Sequence, residues 1–325
     1  MLLSLEKDIK LPFAPDLGIS HSGDSFFCAS SFGKILILDS HLEILNELNL
    51  HRRLRSLDFS SNYKAIISTD LDSLNIYDLR GELLHRIPGA FEQARIYQHH
   101  LWTLKKHSPG RKTLEVFRMG NWESLDKVEF DDPFENSRLK ISQLDSWNKD
   151  AIFLELKKGL DKPKLLIWEI SGKKLRRKHQ LADMNFPEAL NPSGNRYLYR
   201  EIDHLSVYNS LSHQKVYGFN YPLEVGRVFH AVFLSENRIM LQTERGAYVF
   251  DLFSKKIIDE LKIKLPQTQG MGKLFSSFSK AVTRLNQWLF IEPEESQIKK
   301  TLTYSLFAID LAKHEIEGRQ LNLFM

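Results

Sequence analysis

One short phrase recurs along the chain at intervals near forty residues, and no other feature restricts its fold so tightly. An apolar run ends in a bulky residue, usually followed by a carboxylate or amide and then by a polar turn. The phrases are Ile35-Leu36-Ile37-Leu38-Asp39, Leu74-Asn75-Ile76-Tyr77-Asp78, Leu114-Glu115-Val116-Phe117-Arg118, Leu166-Ile167-Trp168-Glu169, Leu205-Ser206-Val207-Tyr208-Asn209, Tyr248-Val249-Phe250-Asp251 and Phe307-Ala308-Ile309-Asp310. Their last residues are separated by 39, 40, 51, 40, 42 and 59 positions. A unit of this length holds four short strands, so the recurrence describes a repeat of small antiparallel sheets.

The second repeat displays the unit most clearly. Leu54 to Phe59 reads as a first strand, Ala65 to Thr69 as a second, Leu74 to Tyr77 as a third and Glu82 to Ile87 as a fourth. Ser60-Ser61-Asn62, Asp70-Leu71-Asp72-Ser73 and Arg80-Gly81 supply turn chemistry between them. Second strands such as Ala151-Ile152-Phe153-Leu154, Ile239-Met240-Leu241 and Trp288-Leu289-Phe290-Ile291 are continuously apolar, as strands covered on both faces must be. Fourth segments such as Lys255 to Leu261 and Glu315-Ile316-Glu317 alternate with charge, which suits a solvent edge. The expected fold is therefore all-β: a seven-bladed β-propeller of four-stranded antiparallel blades, residues 1–325 forming a single domain. The last blade is expected to draw all four strands from the C-terminal region, with Leu2 to Leu5 adding to an exposed edge and tying the chain ends together.

Leu166-Ile167-Trp168-Glu169 and Asn75-Ile76-Tyr77-Asp78 resemble the Trp-Asp ending of a WD40 repeat. Leu57-Asp58-Phe59-Ser60-Ser61-Asn62 resembles the end of that family's first strand, and His21-Ser22-Gly23-Asp24 the turn that follows it. The chain is thus similar to a degenerate WD40-like propeller along essentially its whole length. It departs from the family in having Trp only once at the key position, no Gly-His dipeptide opening a repeat, and Arg118 in place of the acid in the third unit. The resemblance implies a scaffold that binds proteins rather than an enzyme.

Two intervals exceed the period, and insertions in repeat proteins map to loops that carry specificity. The first contains the acidic turn Glu129 to Glu135 and the long hairpin Lys157-Lys158-Gly159-Leu160-Asp161-Lys162-Pro163-Lys164, which makes Lys157, Lys158, Lys162 and Lys164 candidate contacts. The second, about 266–286, places Met271, Leu274, Phe275, Phe278, Ala281, Val282 and Leu285 on one face of a helix. Lys273, Lys280 and Arg284 lie off that face, so the segment reads as a short inserted basic amphipathic helix before the last blade, or as a first strand with a long lead-in. Its stripe suits packing on the propeller, a partner surface or an anionic membrane. The candidate partner-binding residues are Met271, Lys273, Leu274, Phe275, Phe278, Lys280 and Arg284.

Chemistry is hard to find elsewhere. Gly270-Met271-Gly272-Lys273 lacks the spacing and the hydroxyl of a phosphate-binding loop, and no Gly-x-Ser-x-Gly elbow is present. None of the twelve histidines, His99-His100 included, has metal-site spacing. The recurring acids occupy equivalent repeat positions, which favours turn hydrogen bonding over acid–base work. The basic run Lys173 to His179 falls on an expected edge strand, where cations discourage pairing. A net charge of +4 leaves little excess for a nucleic-acid surface. The lone Cys28 excludes an internal disulfide and suits a reducing compartment. The first residues lack the pattern of a signal sequence, and no apolar run approaches the roughly 20 residues of a membrane span. The sequence thus points to a non-catalytic, cytoplasmic protein-interaction module without cofactor or metal, a subunit of a larger complex. The competing class is a lactonase- or hydrolase-like propeller with a site at its central channel.

Overall fold

The computed structural model describes residues 2–310 except 5–6, 15–16, 23–24, 40, 61, 109, 132–137, 143–150, 158–163, 183–186, 202–203, 222–224, 244, 265–279, 285–286 and 296–301. Its strands form six four-stranded sheets and one five-stranded sheet among these residues. Two compact units emerge, one of Pro15–Gln143 with Asn148–Phe186, the other of Met1–Ala14, Leu144–Trp147 and Pro187–Met325. Two short strands, β1 (Leu2–Ser4) and β2 (Lys7–Leu11), precede the repeats and belong to the second unit.

The first unit contains four antiparallel meanders. They are β3 (Gly18–Ser22) to β6 (Ile44–Asn49), β7 (Ser56–Ser60) to β10 (Leu83–Pro88), β11 (Phe91–Tyr97) to β14 (Ser124–Asp131), and β15 (Arg138–Ser142) to β18 (Lys174–Ala182). In the second meander, β8 (Ala65–Thr69) and β9 (Ser73–Asp78) fall within a residue of the second- and third-strand bounds expected from the sequence, and Ile67 pairs with Ile76.

Consecutive sheets of this unit pack face to face, which explains the continuous apolar runs. Alternate side chains of β8 point opposite ways: Ile66 joins Phe27, Ile35 and Ile37 of the sheet before, while Ile67 joins Phe91, Leu101 and Phe117 of the sheet after. Trp102 and Leu104 then meet Ile152, Leu154 and Trp168 of the fourth sheet. Each such aliphatic side chain contributes about 2 kcal/mol on leaving water. The outer strands do the reverse, with β10 exposed at nearly every position and β6 burying only Leu48.

The second unit repeats the scheme with β19 (Ala189–Leu190) to β22 (Lys215–Asn220) and β23 (Val228–Phe233) to β26 (Lys256–Lys264), whose facing sides bury Leu198, Val207, Ile239, Leu241 and Phe250 together. Its last sheet corrects the expectation for the C-terminal strands. The order is β2, β29 (Leu302–Asp310), β28 (Gln287–Glu295) and β27 (Lys280–Arg284), so the outer strand comes from Lys7–Leu11, antiparallel to β29. The segment Glu315 to Glu317 lies outside the described residues. Leu2–Ser4 adds in parallel to the outer edge of β26, as Leu2↔Lys262 and Ser4↔Lys264. The N-terminal segment therefore occupies the outer edges of two sheets, leaving neither ladder open there.

The expected inserted helix does not reach its last residues, where the alternative of a first strand with a long lead-in holds. Lys280–Arg284 is strand, paired with Ile291 to Gln287. Val282 and Thr283 are β-branched and fit a pleat better than a helix. Residues 265–279 lie outside the described residues, with 285–286.

Candidate interaction surface

The recurring acids and amides are engaged in turns. Asp39 Oδ1 accepts the backbone N–H groups of His41 and Glu43, and Asp78 Oδ1 those of Arg80 and Glu82. Asn209 does the same for Leu211 and Ser212, and Asp251 for Ser254 N–H and its hydroxyl. Where Arg118 replaces the acid, Asn121 caps the turn by accepting from Glu123 N–H. Each of these turns contains a residue with left-handed φ at an equivalent place, Leu42, Gly81, Trp122, His213 and Lys255, as does the turn after Glu169 at Gly172. A register shift also recurs beside the bulky residue of the phrase, as at Ile37/Leu38, Ile167/Trp168 and Val249/Phe250. The phrase is thus the signature of a bulged, sharply twisted hairpin.

Other candidates for chemistry are likewise occupied. His99 Nδ1 lies 2.8 Å from the Tyr63 hydroxyl, with the two rings edge to face. Cys28 is fully buried, and burial pushes its thiol up to about 12, far from a nucleophile's range. Trp168, the single Trp-Asp-like tryptophan, packs edge to face on Phe130 at 5.5 Å, and its buried Nε1–H has no hydrogen-bond partner among the described residues. Tyr77, at the same repeat position, buries its hydroxyl without a hydrogen-bond partner among the described residues. The repeat therefore uses these rings as volume. No cluster of three metal-ligating side chains occurs among the described residues, and no helix there is long and apolar enough to cross a membrane.

One end of the first unit is organised differently. The turn between β4 (Ser25–Ala29) and β5 (Lys34–Leu38) lies against the loop from β6 to β7, with Leu54 N–H donating to Ser31 O at 2.7 Å and Leu50 N–H to Gly33 O at 2.9 Å. Gly33 has φ +85, and a Cβ there would come within 2.7 Å of Arg52 O. Arg52 reaches the next sheet, its Nη1 3.0 Å from Asp70 Oδ2. Asp70 also accepts from Ser73 N–H and hydroxyl, Asp72 N–H and the Asn75 amide. Burial alone would raise its pKa, but the hydrogen bonds from Ser73, Asp72 and Asn75 prevail and hold the carboxyl at about 2.

The tips of these two turns are apolar and open to solvent: Phe32 is 68% exposed and Leu71 is 71% exposed. Lys34, Arg53 and Arg55 are exposed around them. Arg55 is held at this end by its N–H bond to Thr69 O, 2.8 Å. The sequence offered a signal for this site: a large apolar residue sits where Ser30-Ser31-Phe32-Gly33 and Asp70-Leu71-Asp72 should be wholly polar.

Of the residues singled out in the sequence, Met271, Lys273, Leu274, Phe275 and Phe278 lie outside the described residues. Lys280 and Arg284 begin and end β27. Lys157 ends β16 (Ala151–Lys157), and exposed Lys164 begins β17 (Lys164–Ser171), while Lys158 and Lys162 lie outside the described residues. The basic run lies on the outer strand β18, as its charge pattern indicates. Lys174 sits 3.8 Å from Asp126 and Lys178 3.4 Å from Glu169.

No protein-family description and no curated protein matches this sequence. Among solved structures, the chain is similar to Hsv2 of Kluyveromyces marxianus at 11% identity and TM-score 0.53, covering 87% of this chain and 93% of that one. It is similar to the β-propeller domain of Cps50 (Swd1) from Myceliophteria thermophila at 11% identity and TM-score 0.53, covering 92% and 99%. Hsv2 of Kluyveromyces lactis gives 10% identity and TM-score 0.52 over 87% and 95%. The chain has the fold of a degenerate WD40-like β-propeller.

Proposed function

We propose that this protein is a non-catalytic scaffold whose turns bind another protein, as one subunit of a larger cytoplasmic complex. One contrast supports the reading. The repeated polar residues that could perform chemistry are spent in turn hydrogen bonds, while turn residues turned to solvent are large and apolar. Phe32, Leu71, Leu211 and Phe253 are exposed by 68, 71, 69 and 72%. Rigid sheets that hold apolar tips in water suit an interface, because contact with a partner removes that surface from water at no folding cost. The seven sheets act as seven blades of one ring over residues 1–325, and the insertion at about 266–286 and the hairpin around Lys157, Lys158, Lys162 and Lys164 add specificity.

Affinity capture of the tagged full-length chain from its native host, followed by mass spectrometry, tests this reading. A stoichiometric partner is expected, and replacement of Phe275 and Phe278 by Ser is expected to release it with the circular dichroism of the sheets unchanged. A chain that captures no partner and turns over a small substrate would refute it.

A further inference from the structure

We propose that the end of the first unit carrying Phe32, Leu71, Lys34, Arg53 and Arg55 is a docking site for an acidic segment of a partner protein anchored by one or two apolar side chains. This rests on the scaffold reading and specifies the partner's chemistry. The two turn tips belong to neighbouring sheets and are joined by a continuous set of contacts. Ser31 and Gly33 hold the loop at Leu50 and Leu54, Arg52 of that loop binds Asp70, and Leu71 follows Asp70 directly. The apolar tips are therefore held at fixed positions with a basic loop between them.

The charge balance selects the occupant. Among the described residues, the carboxylates in these two turns and the loop between them are Asp70 and Asp72. Asp70 is occupied by Arg52, Ser73 and Asn75, and Asp72 by Arg86 at 3.1 Å. Lys34, Arg53 and Arg55 have no ion-pair partner among the described residues, so the site presents uncompensated positive charge beside exposed apolar surface. Guanidinium groups match carboxylates with two parallel N–H bonds, and apolar tips match an aliphatic or aromatic anchor. Three free cations are too few to hold a polyanionic strand or an anionic bilayer by charge alone. An acidic peptide with apolar residues satisfies both features.

Fluorescence anisotropy with the full-length chain tests this. The probe is a labelled peptide of sequence Glu-Asp-Phe-Glu-Asp-Leu-Glu, set against its Gln/Asn counterpart, phosphatidylserine vesicles and a single-stranded oligonucleotide. The acidic peptide is expected to bind, with affinity reduced at least tenfold by Arg53→Glu with Arg55→Glu and also by Phe32→Ser with Leu71→Ser. Arg176→Glu on β18 is expected to leave binding intact. Circular dichroism and thermal midpoint identify any variant that misfolds, and milder Arg53→Gln with Arg55→Gln then replaces it, with a smaller loss expected. Absence of peptide binding, peptide binding indifferent to these substitutions, or preferential binding of vesicles or oligonucleotide through them overturns the proposal. A native partner retained by all the site variants refutes this site alone, whereas absence of any captured partner refutes the scaffold reading itself.

Discussion

Gly33 illustrates how far a single residue constrains this fold. Its φ of +85 falls in the left-handed region, and the Arg52 carbonyl occupies the space where a Cβ would project. Gly33→Ala should destabilise the protein by about 2–4 kcal/mol, combining backbone strain with displacement of the neighbouring loop, as read by urea denaturation. Tyr77 presents the opposite case. Its ring fills the core between two sheets, but its buried hydroxyl has no hydrogen-bond partner among the described residues. Tyr77→Phe is expected to raise stability by about 1 kcal/mol, since the desolvation cost disappears with the oxygen. A lower denaturation midpoint would disprove that account. Asp70 adds a pH dependence. Its folded pKa of about 2 lies below its ordinary 3.8, so its stabilisation is present above pH 4 and is lost as pH falls toward 2. The Asp70→Asn variant should be less stable at neutral pH and should show a flatter stability profile between pH 4 and 2.

Among the elements, strand order explains most of the composition. Inner strands such as β8, with Ile66 and Ile67 packed on opposite sheets, read as apolar runs, whereas outer strands β6, β10 and β22 are mostly exposed. The basic run on β18 belongs to the same class and is partly compensated by Asp126 and Glu169. The exception is the N-terminal pair. β1 and β2 close the outer edges of β26 and β29 from a region distant in sequence, and Leu11 is 93% removed from solvent. A variant lacking residues 2–11 should lose at least about 2 kcal/mol, given the burial of Leu11 and the two ladders it forfeits. Hydrogen exchange should then accelerate at the outer edges of β26 and β29, and a peptide of residues 1–14 should restore protection. Unchanged exchange at both strands would mean that these pairings contribute nothing to stability.

For the whole molecule, the single-ring proposal has a calorimetric consequence. Repeats that bury each face against a neighbour depend on those neighbours, so a closed ring should melt as one cooperative transition. The calorimetric enthalpy should then match the van't Hoff value. Two resolved transitions would instead mean that the four-sheet and three-sheet units fold as independent domains.

The sequence by itself determined the all-β class, the period and the identity of inner and outer strands, because burial on two faces and exposure on one leave different two-residue patterns. β8 to β10 were readable to within a residue and β7 to within two, and so was the turn role of Asp39, Asp78 and Asp251, since these are consequences of local chemistry. Only the tertiary structure decided that Lys7–Leu11 completes the last sheet and that Leu2–Ser4 pairs in parallel with β26, because a strand carries no record of which distant edge it will join. The strand at Lys280–Arg284 was decided the same way: five residues with only Ala281 and Val282 apolar fit either period until the partner strand at Gln287–Ile291 selects one. The link between the turns carrying Phe32 and Leu71 also required the structure, since turns separated by nearly forty residues are joined only where the loop from β6 to β7 brings Arg52 to Asp70.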